Sequence, residues 1–414
     1  MNLRKDAEKI IDEAIKAASP DSAVKRALNE IDLEDGAIHI VAIGKAAWQM
    51  CKAAYDVLGD RVTDGFVITK YEHAQGRLGN IKIYEAGHPV PDKNTYLATE
   101  EVIKAAETWG TGDSVLFLIS GGGSALFEKP LIPESEMADI TSQLLSSGAG
   151  IVDINIIRKR LSAVKGGRFA RICAPAEVYS VILSDVLGDP VDMIASGPAY
   201  PDSSSCEDAM AVVKKFGLRL SDAAAKLLCE ETPKLLDNVE TRVTGNVSQL
   251  CKAAMHTCEK LGYQPIFLTD MLSCNAVDAG EFMSAIAKAH YRDGKSLAYI
   301  AGGETVVRVI GDGLGGRNQE LALSAARGIS GMDNVCLFSF GSDGTDGPTD
   351  AAGGFVDGLT EKILTEKGLT IGEALAKNDS YHTLQKTDGL IITGPTGTNV
   401  NDLSVLLIKS HRSV

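Results

Sequence analysis

The chain has 414 residues, which is enough for two domains or for one large α/β domain with a well-buried core. Hydrophobic residues make up 44% and charged residues 23% of the sequence, and these ordinary globular values exclude a disordered or fibrous chain. The 41 basic and 55 acidic residues give a net charge of −14 with no run of Lys or Arg, so we expect neither a nucleic-acid partner nor an anionic membrane partner.

The predicted elements of the first half alternate between helices and strands. Residues 3–18 place apolar side chains at helical spacing among charges, which predicts an amphipathic helix and excludes a signal peptide. Ser19-Pro20 predicts the start of a second helix that ends near Asn29. Continuously apolar strands are typical of a parallel sheet covered on both faces, so we expect a three-layer α/β domain. Strands are predicted at 37–43, 65–69, 81–86, 114–120 and 177–184, and helices at 45–58, 93–108, 134–146, 153–164, 205–216 and 221–229.

The second half continues the α/β pattern after a change in composition, which predicts a domain boundary. Residues 230–240 are charged, contain proline and lack glycine, so we place one domain at 1–236 and a second at 237–414. Helices are predicted at 247–261, 276–291, 318–328 and between 360 and 386, and strands at 264–269, 296–301, 305–310, 334–340 and 403–408.

Glycine is enriched, with 42 residues, and it clusters in loops beside predicted strands. In the segment 120–124, Gly121, Gly122 and Gly123 leave backbone N–H groups uncovered next to Ser124, which predicts an anion-binding nest. Lys45 follows a strand and a glycine, where its side chain can reach a phosphate at a helix N-terminus. A surface lysine is the alternative for this position.

Two segments of the sequence resemble known phosphate-binding patterns. Residues 289–296 approach the P-loop pattern, but they lack its first glycine and lie between a helix and a strand, in the reverse of the required order. Residues 311–316 match the dinucleotide pattern G-x-G-x-x-G between a predicted strand and a helix. The acidic residue expected further on is poorly placed, so a nicotinamide site here is the second choice.

Arg317 begins the next predicted helix, where a positive charge opposes the helix dipole. A role in binding a phosphoryl group or a carboxylate of a ligand explains an arginine at this position. The alternative is that Arg317 pairs with Glu320 or with a loop carboxylate of the protein. The following acidic loop contains Asp343 and Asp346, which suit magnesium carried by a nucleotide better than a calcium loop. The hydroxyl- and amide-rich segment 394–403 suits hydroxyls or phosphates.

Cysteine and histidine offer little further chemistry. Eight scattered cysteines without a C-x-x-C pair predict free thiols in a reducing cytoplasm. No apolar stretch reaches the roughly 18 residues of a membrane span. The seven histidines never occur at i, i+4 with a third ligand candidate, so the sequence does not support a zinc site. His88 lies between glycine and proline, where a structural role is favoured over a catalytic one.

Taken together, ten motifs in order resemble the glycerate 2-kinases of the class that carries a MOFRL C-terminal domain. The resemblance covers nearly the whole chain. It departs from the family pattern in two places. The motif SDVLGDP, which contains Leu187, has one aspartate fewer than the family pattern, and Ala301 stands where the family has serine. The motifs are VAIGKAA, EAGHPVPD, LISGGGSAL, NIIRKRLSAVKGGR, SDVLGDP, IASGPAYPD, GGET, GGRNQE, DGTDGPTDAAG and TGPTGTNVNDL.

This resemblance implies phosphorylation of D-glycerate by ATP to give 2-phosphoglycerate in the cytoplasm. It also implies a Rossmann-like N-terminal domain, a smaller α/β C-terminal domain and an active site in the cleft between them. In that family, the residues that match Lys45 and Arg317 are thought to be functional. Related proteins have been labelled hydroxypyruvate reductases, so an NAD(P)H-dependent reductase is the alternative function, and a sensor without turnover is a third.

The residue types in these motifs are compatible with phosphoryl transfer, which needs cations and backbone donors around an anionic transition state. Lys45 and Arg317 supply positive charge, Asp185 orients the substrate hydroxyl, and Asp343 or Asp346 holds Mg²⁺. The candidates for substrate and phosphate binding are the glycine nest, three basic residues for the glycerate carboxylate and three residues from the second-half motifs. They are Gly121, Gly122, Gly123 and Ser124; Arg158, Lys165 and Arg168; and Glu304, Asn318 and Thr396. The sequence leaves the oligomeric state open between monomer and dimer.

Overall fold

The computed structural model describes residues 3–410 and divides the chain into two compact units. The N-terminal unit comprises Ala23–Ser184 and Asp189–Thr244. The C-terminal unit comprises the segment up to Ser22, the four residues Asp185–Gly188 and the chain from Gly245 onward. This partition differs from a single boundary near residue 236, because the first helix and a short internal loop belong to the C-terminal unit.

A six-stranded sheet in the order β3-β2-β1-β4-β5-β6 forms the centre of the N-terminal unit. The pairs among the first five strands are parallel. Every residue of β1 and of β4 is buried, as expected for strands covered on both faces. The strands are β1 (Ile38–Ile43), β2 (Val62–Lys70), β3 (Ile81–Ala86), β4 (Ser114–Ile119), β5 (Glu177–Leu183) and β6 (Val239–Gly245).

The strand order reverses between β1 and β4, and ligands in such open sheets bind beyond the carboxyl ends of the strands at this switch point. The helices before and within this unit are α1 (Leu3–Ala17), α2 (Pro20–Glu30), α3 (Ala47–Leu58), α4 (Lys93–Ala106), α5 (Gly123–Leu126), α6 (Glu134–Ser146), α7 (Ile151–Leu161), α8 (Arg168–Cys173), α9 (Cys206–Phe216) and α10 (Asp222–Leu228). Short 3₁₀ segments occur at Gly59–Arg61 and Ile194–Ser196.

The C-terminal unit contains a second six-stranded sheet, in the order β11-β10-β9-β12-β8-β7. Only the β7–β8 pair is parallel, and the other pairs are antiparallel. Its strands are β7 (Gln264–Leu272), β8 (Leu297–Gly303), β9 (Val335–Gly341), β10 (Gly353–Asp357), β11 (Leu390–Ile391) and β12 (Asp402–Ile408). Its helices are α11 (Val247–Lys260), α12 (Ala276–His290), α13 (Arg317–Ile329), α14 (Thr360–Glu366), α15 (Ile371–Ala376) and α16 (Ser380–Gln385).

Helix α1 belongs to the C-terminal unit because its side chains pack and pair there. Ile10 and Ile11 are buried on its apolar face. Asp6 accepts a hydrogen bond from the Tyr263 hydroxyl over 2.7 Å, and its carboxylate lies 2.7 Å from Lys409 Nζ. These contacts join positions that are far apart in sequence, so no local pattern could predict them.

Several elements differ from the sequence-based expectation. The strand predicted at 305–310 is wrong, since this segment forms only an isolated bridge through Val306. The sequence analysis also missed β6, β10 and β11, which are short strands or lie in a segment interpreted as a domain boundary. In the described part of the chain, no helix combines the length and the apolar character needed to cross a membrane.

Candidate active site

The loops that follow β1 and β4 are hydrogen-bonded to each other. Lys45 N–H donates to the Gly121 carbonyl over 2.9 Å, and Ala46 N–H donates to the Ser120 hydroxyl over 3.1 Å. Gly44 has φ +110°, and a Cβ at this position would lie 2.3 Å from Ser120 Oγ, so the close approach requires glycine. The Lys45 loop is therefore fixed against residues 120–124, which we name the glycine loop.

The glycine loop presents backbone donors that the protein itself does not use. Gly122 has φ +86° and caps the short helix α5. Within residues 3–410, the N–H groups of Gly121, Gly122 and Ser124 donate to no protein acceptor. Successive N–H groups in such a left-handed turn form a concavity that binds anions. The arrangement supports the anion-binding nest predicted for this loop.

Two basic side chains, Lys45 and His88, border the glycine loop. A Cβ on Gly122 would lie 2.9 Å from His88 Nε2 and 3.3 Å from Lys45 Cγ. Burial lowers the pKa of His88, and the nearby charges of Lys45, Lys70 and His73 lower it further. His73 Nδ1 donates to the Lys45 carbonyl over 3.0 Å. Lys45 therefore brings a positive charge to the side of the glycine loop, which favours an anionic ligand.

Ser196 approaches the glycine loop from a distant part of the sequence. Ala195 has φ +51° and Ser196 has φ +61°, a region that residues with side chains seldom adopt. Ser196 Oγ donates to Asn155 Oδ1 over 2.9 Å and lies 3.3 Å from Ser124 Oγ. Backbone strain of this kind costs about 1–3 kcal/mol per residue and concentrates at functional sites. Ser196 is thus a site residue that the sequence analysis missed.

The three basic residues predicted to bind a substrate carboxylate occupy different environments. Lys165 is fully buried and donates to the carbonyls of Ser124 and Phe127. Burial lowers the pKa of Lys165 to about 8 and also lowers the pKa of Arg158 and of Arg168. Both arginines are partly exposed, and Arg168 Nε has no hydrogen-bond partner among the residues described. The two arginines are therefore partly exposed, whereas Lys165 is held by the protein.

In the C-terminal unit, Arg317 pairs with two carboxylates at the start of α13. Its Nε and Nη2 donate to the two oxygens of Asp402 over 2.6 and 3.0 Å, and Nη1 lies 2.9 Å from Glu304 Oε1. Burial lowers the pKa of Arg317, but Asp402 and Glu304 raise it more, and the net pKa is above the ordinary value. Of the two alternative partners, the loop carboxylate is confirmed, because Glu304 pairs with Arg317. Glu320 is wrong, because it accepts a hydrogen bond from Asn378 instead.

Asn401 connects Asp185 to this arginine. Asn401 Nδ2 donates to the Asp185 carbonyl over 3.1 Å and to Glu304 Oε2 over 3.3 Å. Since Glu304 also pairs with Arg317, the C-terminal unit brings together three residues predicted from separate motifs. We name this group, together with Asp402, the arginine site.

Asp346, predicted as a magnesium ligand, lies beneath the N-terminus of α13. Its oxygens accept the N–H groups of Asn318 over 3.2 Å and of Gln319 over 2.9 Å, and burial raises its pKa. Asn318, predicted to bind phosphate, is 1% exposed, and its side chain bonds to Asp346 and Ser339. Asp346 therefore caps the N-terminus of α13, and Asn318 is bound to this cap. Asp346 is 3% exposed, so these bonds account for both residues without a metal or a phosphate.

Asp343 and Thr396 lie on adjoining loops. Thr396 N–H donates to the Asp343 carbonyl over 3.3 Å, and the Thr396 hydroxyl donates to the Ser342 carbonyl over 2.5 Å. The Asp343 carboxylate is partly exposed and accepts the Thr345 N–H over 2.9 Å. Between residues 3 and 410, no three His, Cys, Asp or Glu side chains cluster as a metal site. Asp343 alone fits a magnesium ion that arrives with a nucleotide, because such ions need few protein ligands.

The G-x-G-x-x-G segment packs against the protein itself. A Cβ on Gly311 or Gly313 would lie 2.4 or 2.5 Å from the Lys377 carbonyl oxygen, and a Cβ on Gly316 would lie 2.3 Å from Asp346 Cγ. The strand expected before this segment is absent. These glycines are explained by close packing, so the segment gives no support to a nicotinamide site.

Comparison with known proteins shows which family the chain belongs to. Two family models match, a domain of unknown function (DUF4147) over residues 6–229 and the MOFRL family over residues 297–402. A D-glycerate 2-kinase of Thermotoga maritima is 50% identical over 413 residues, which covers 98% of this chain and 99% of that protein. The chain belongs to the glycerate 2-kinase family. A further member, a glycerate 2-kinase of Pyrococcus horikoshii, is 39% identical over 100% of this chain and 99% of its own length.

Solved structures confirm the fold class for this glycerate 2-kinase family member. A crystal structure of a glycerate kinase from Thermotoga maritima matches with a TM-score of 0.94 at 50% identity, covering 98% of this chain and 99% of that one. A Pyrococcus horikoshii protein matches with a TM-score of 0.93 at 38% identity and covers 99% of both chains. The family resemblance that the ten motifs indicate is confirmed as well.

Several site residues escaped the sequence analysis. Lys70 and His73 come at the end of β2 and directly after it, and their position at the carboxyl edge of the sheet was an available signal. Ser196 lies inside a motif that was noted only for the family resemblance, and Asp402 lies in the segment 394–403, where only hydroxyl and amide groups were noted. Asn401 has φ +67°, which no sequence pattern indicated.

Proposed function

We propose that this chain phosphorylates D-glycerate with ATP and releases 2-phosphoglycerate. The names of the Thermotoga maritima and Pyrococcus horikoshii relatives, which match over nearly the whole chain, support this activity. Both relatives are named as 2-kinases, which supports the position of the phosphate.

The observation that carries the proposal is the glycine loop with its unused N–H groups. They lie beside Lys45 and His88, at the switch point where open α/β sheets bind ligands. Phosphoryl transfer relies on backbone donors and cations around a negatively charged transition state. We assign this loop to the phosphates of the nucleotide, because a polyphosphate matches its accumulated positive charge better than one carboxylate does.

We assign Arg317 to the charge that develops on the transferring phosphoryl group. Asp402 and Glu304 fix the plane of its guanidinium, and its further N–H groups remain for a ligand. Asp185 is assigned to the substrate hydroxyl, and the partly exposed Arg158 and Arg168 to the glycerate carboxylate. Mg²⁺ bound with ATP would neutralise phosphate charge, with Asp343 as the protein carboxylate that fits it.

A paired assay tests the activity. D-glycerate with Mg-ATP is followed by ADP release, and hydroxypyruvate with NADH is followed by absorbance in a parallel sample. We expect ADP release only in the first, and phosphorus NMR of that mixture should show 2-phosphoglycerate. Oxidation of NADH without ATP turnover would establish the reductase instead, while a 3-phosphoglycerate signal would overturn only the position of the phosphate.

The resemblance also predicts an active site in the cleft between two domains, and this stays a prediction. If the domains close on their substrates, the radius of gyration should fall when ATP analogue and D-glycerate are both added. Solution scattering of the full chain with and without these ligands measures that change. An unchanged radius at saturation would count against closure.

A further inference from the structure

Lys165 is a buried charge that the proposed reaction does not use directly. Its side chain has 0% exposure. The ammonium donates to the Ser124 carbonyl over 2.8 Å and to the Phe127 carbonyl over 3.0 Å, and it reaches the Ala195 carbonyl at 3.5 Å. An ammonium carries three N–H donors, so these carbonyls account for all of them. Lys165 thus joins the glycine loop and α5 to the strained turn at Ala195.

Keeping this charge inside the protein is energetically unfavourable. Removing an ammonium from water costs several kcal/mol, and a buried ion pair is often less stabilising than an apolar pair of similar volume. Glu128, the nearest carboxylate, is 3% exposed and lies 3.6 Å from Lys165 Nζ. Its Oε1 has no hydrogen-bond partner among the described residues. A contribution to the free energy of unfolding therefore does not by itself explain why Lys165 and Glu128 are buried together.

The residues after Lys165 complete a clamp on the strained turn. Gly166 N–H donates to the Ser196 carbonyl over 3.0 Å, and Gly167 N–H donates to the Gly197 carbonyl over 2.7 Å. Residues in the left-handed region persist only where their surroundings hold them. One continuous segment therefore fixes both the conformation of Ser196 and its place beside the glycine loop.

We propose that Lys165 is a positioning residue, which holds the glycine loop and the Ser196 turn in the shape that binds the phosphates of the nucleotide. It touches no substrate and acts through the carbonyls of Ser124 and Ala195. The role rests on the proposed function, which assigns nucleotide phosphates to the glycine loop. A misplacement of about 1 Å in such a site costs about 10²-fold in rate, so a positioning role has a measurable size.

The test compares Lys165→Met with Arg160→Met in the full chain. Methionine fills a similar volume without charge. Arg160 is equally buried, with 0% exposure, but it bonds to Ser204 and pairs with Glu231 instead of the glycine loop. Both variants lose a buried cation, so both should melt at lower temperature. If Lys165→Met fails to fold, the double variant Lys165→Met/Glu128→Gln is compared with Arg160→Met instead. The second substitution removes the carboxylate charge that the first would leave unpaired.

Two measurements separate positioning from stability. Calorimetry with ADP measures the anion site without turnover, and steady-state assays give kcat and KM. We expect the folded Lys165→Met protein to bind ADP at least about tenfold more weakly and to lose about 10²-fold in kcat. Arg160→Met should keep its ADP affinity within about threefold of wild type, because among the described residues Arg160 bonds to Ser204 and pairs with Asp202 and Glu231, away from the glycine loop.

A pH profile gives a third readout. The charged groups that act on Lys165 are Glu128 and Arg158, and burial lowers its pKa to about 8. Above that pH the neutral amine has fewer hydrogens for the same carbonyls, so wild-type kcat should fall on the alkaline side, while Lys165→Met should lack this limb.

The outcomes distinguish this inference from the proposed function. If the wild-type protein phosphorylates D-glycerate and the folded Lys165→Met variant keeps the same ADP affinity and kcat, the positioning role is overturned and the kinase function stands. A wild-type protein that binds ADP but does not phosphorylate D-glycerate would overturn the proposed function, and loss of ADP binding in Lys165→Met would still support positioning. A wild-type protein that does not bind ADP would overturn both.

Discussion

In the glycine loop of the N-terminal unit, N–H groups of Gly121, Gly122 and Ser124 lack protein acceptors among the described residues, and Lys45 stands beside them. In the arginine site of the C-terminal unit, by contrast, Arg317 contacts two carboxylates at once. The first region offers donors without nearby partners. The second has one positive charge that already pairs with two carboxylates.

The difference separates two tasks that cations perform in phosphoryl transfer. A region with unused N–H donors and a nearby positive charge can bind phosphate from solution, because no protein acceptor has to be displaced from those donors. An arginine held on both sides is fixed in orientation, which reduces the reorganisation needed as charge develops in the transition state. We therefore expect the glycine loop to govern nucleotide binding and Arg317 to govern the chemical step.

The largest expected effect comes from truncating Arg317. If it contacts the transferring phosphoryl group, Arg317→Ala should lower kcat by about 10³–10⁵, as for other arginine clamps. Arg317→Lys should also be poor, because an ammonium cannot reproduce the planar fork that meets Asp402. Steady-state kinetics measure both variants, with thermal melts as the control for folding. Folded variants that keep more than about a tenth of the wild-type kcat would place Arg317 outside the chemistry.

Lys45→Ala should separate the two regions further. Loss of one electrostatic donor typically costs about 10²–10³ in kcat, and here we also expect weaker ADP binding, which Arg317→Ala should leave nearly unchanged. Calorimetry with ADP on both folded variants checks this contrast. Equal losses of ADP affinity would show that the two regions do not divide binding and chemistry.

A smaller effect concerns the carboxylates of the C-terminal unit. Asp346→Ala removes the cap of α13 and leaves buried N–H groups without partners, so the free energy of unfolding should fall by about 1–3 kcal/mol. Asp343→Ala, at a partly exposed position, should change it by less than about 0.5 kcal/mol. Urea denaturation of both variants measures the difference. Should Asp346→Ala instead keep its stability and need more Mg²⁺ for activity, the metal role first predicted for Asp346 would be restored.

The smallest expected effect is a pH dependence of nucleotide binding through His88. Its pKa lies below the ordinary value in the free protein, and a bound phosphate should raise it, so binding takes up a proton below neutral pH. ADP affinity of wild type relative to His88→Asn should then rise by about threefold to tenfold from pH 7.5 to 5.5. Calorimetry across that range provides the measurement, and the variant corrects for titration of ADP itself. Parallel pH profiles would show that His88 does not face the phosphates.

Much of the site could be predicted because its residues follow strands. The positions of Lys45 and of the glycine loop come from apolar runs that end in glycine, and parallel strands bring such ends to one edge. For His88, the position between glycine and proline favours a structural role over a catalytic one. Its importance depends on Lys45, Lys70 and His73 around it, which only the packing of neighbouring strands could show.

The sequence by itself determined the order of most elements and the parallel character of the first sheet, because these depend on local periodicity and composition. Its ten motifs indicated the family and the candidate loops. Tertiary structure decided which charges are free and which are held. Lys165 and Arg317 both look like ligand-binding cations in the sequence, yet one is buried on carbonyls and the other pairs with Asp402 and Glu304. Such pairings depend on distances between segments far apart along the chain, and burial, which sets the strength of each charge, is a property of the folded protein.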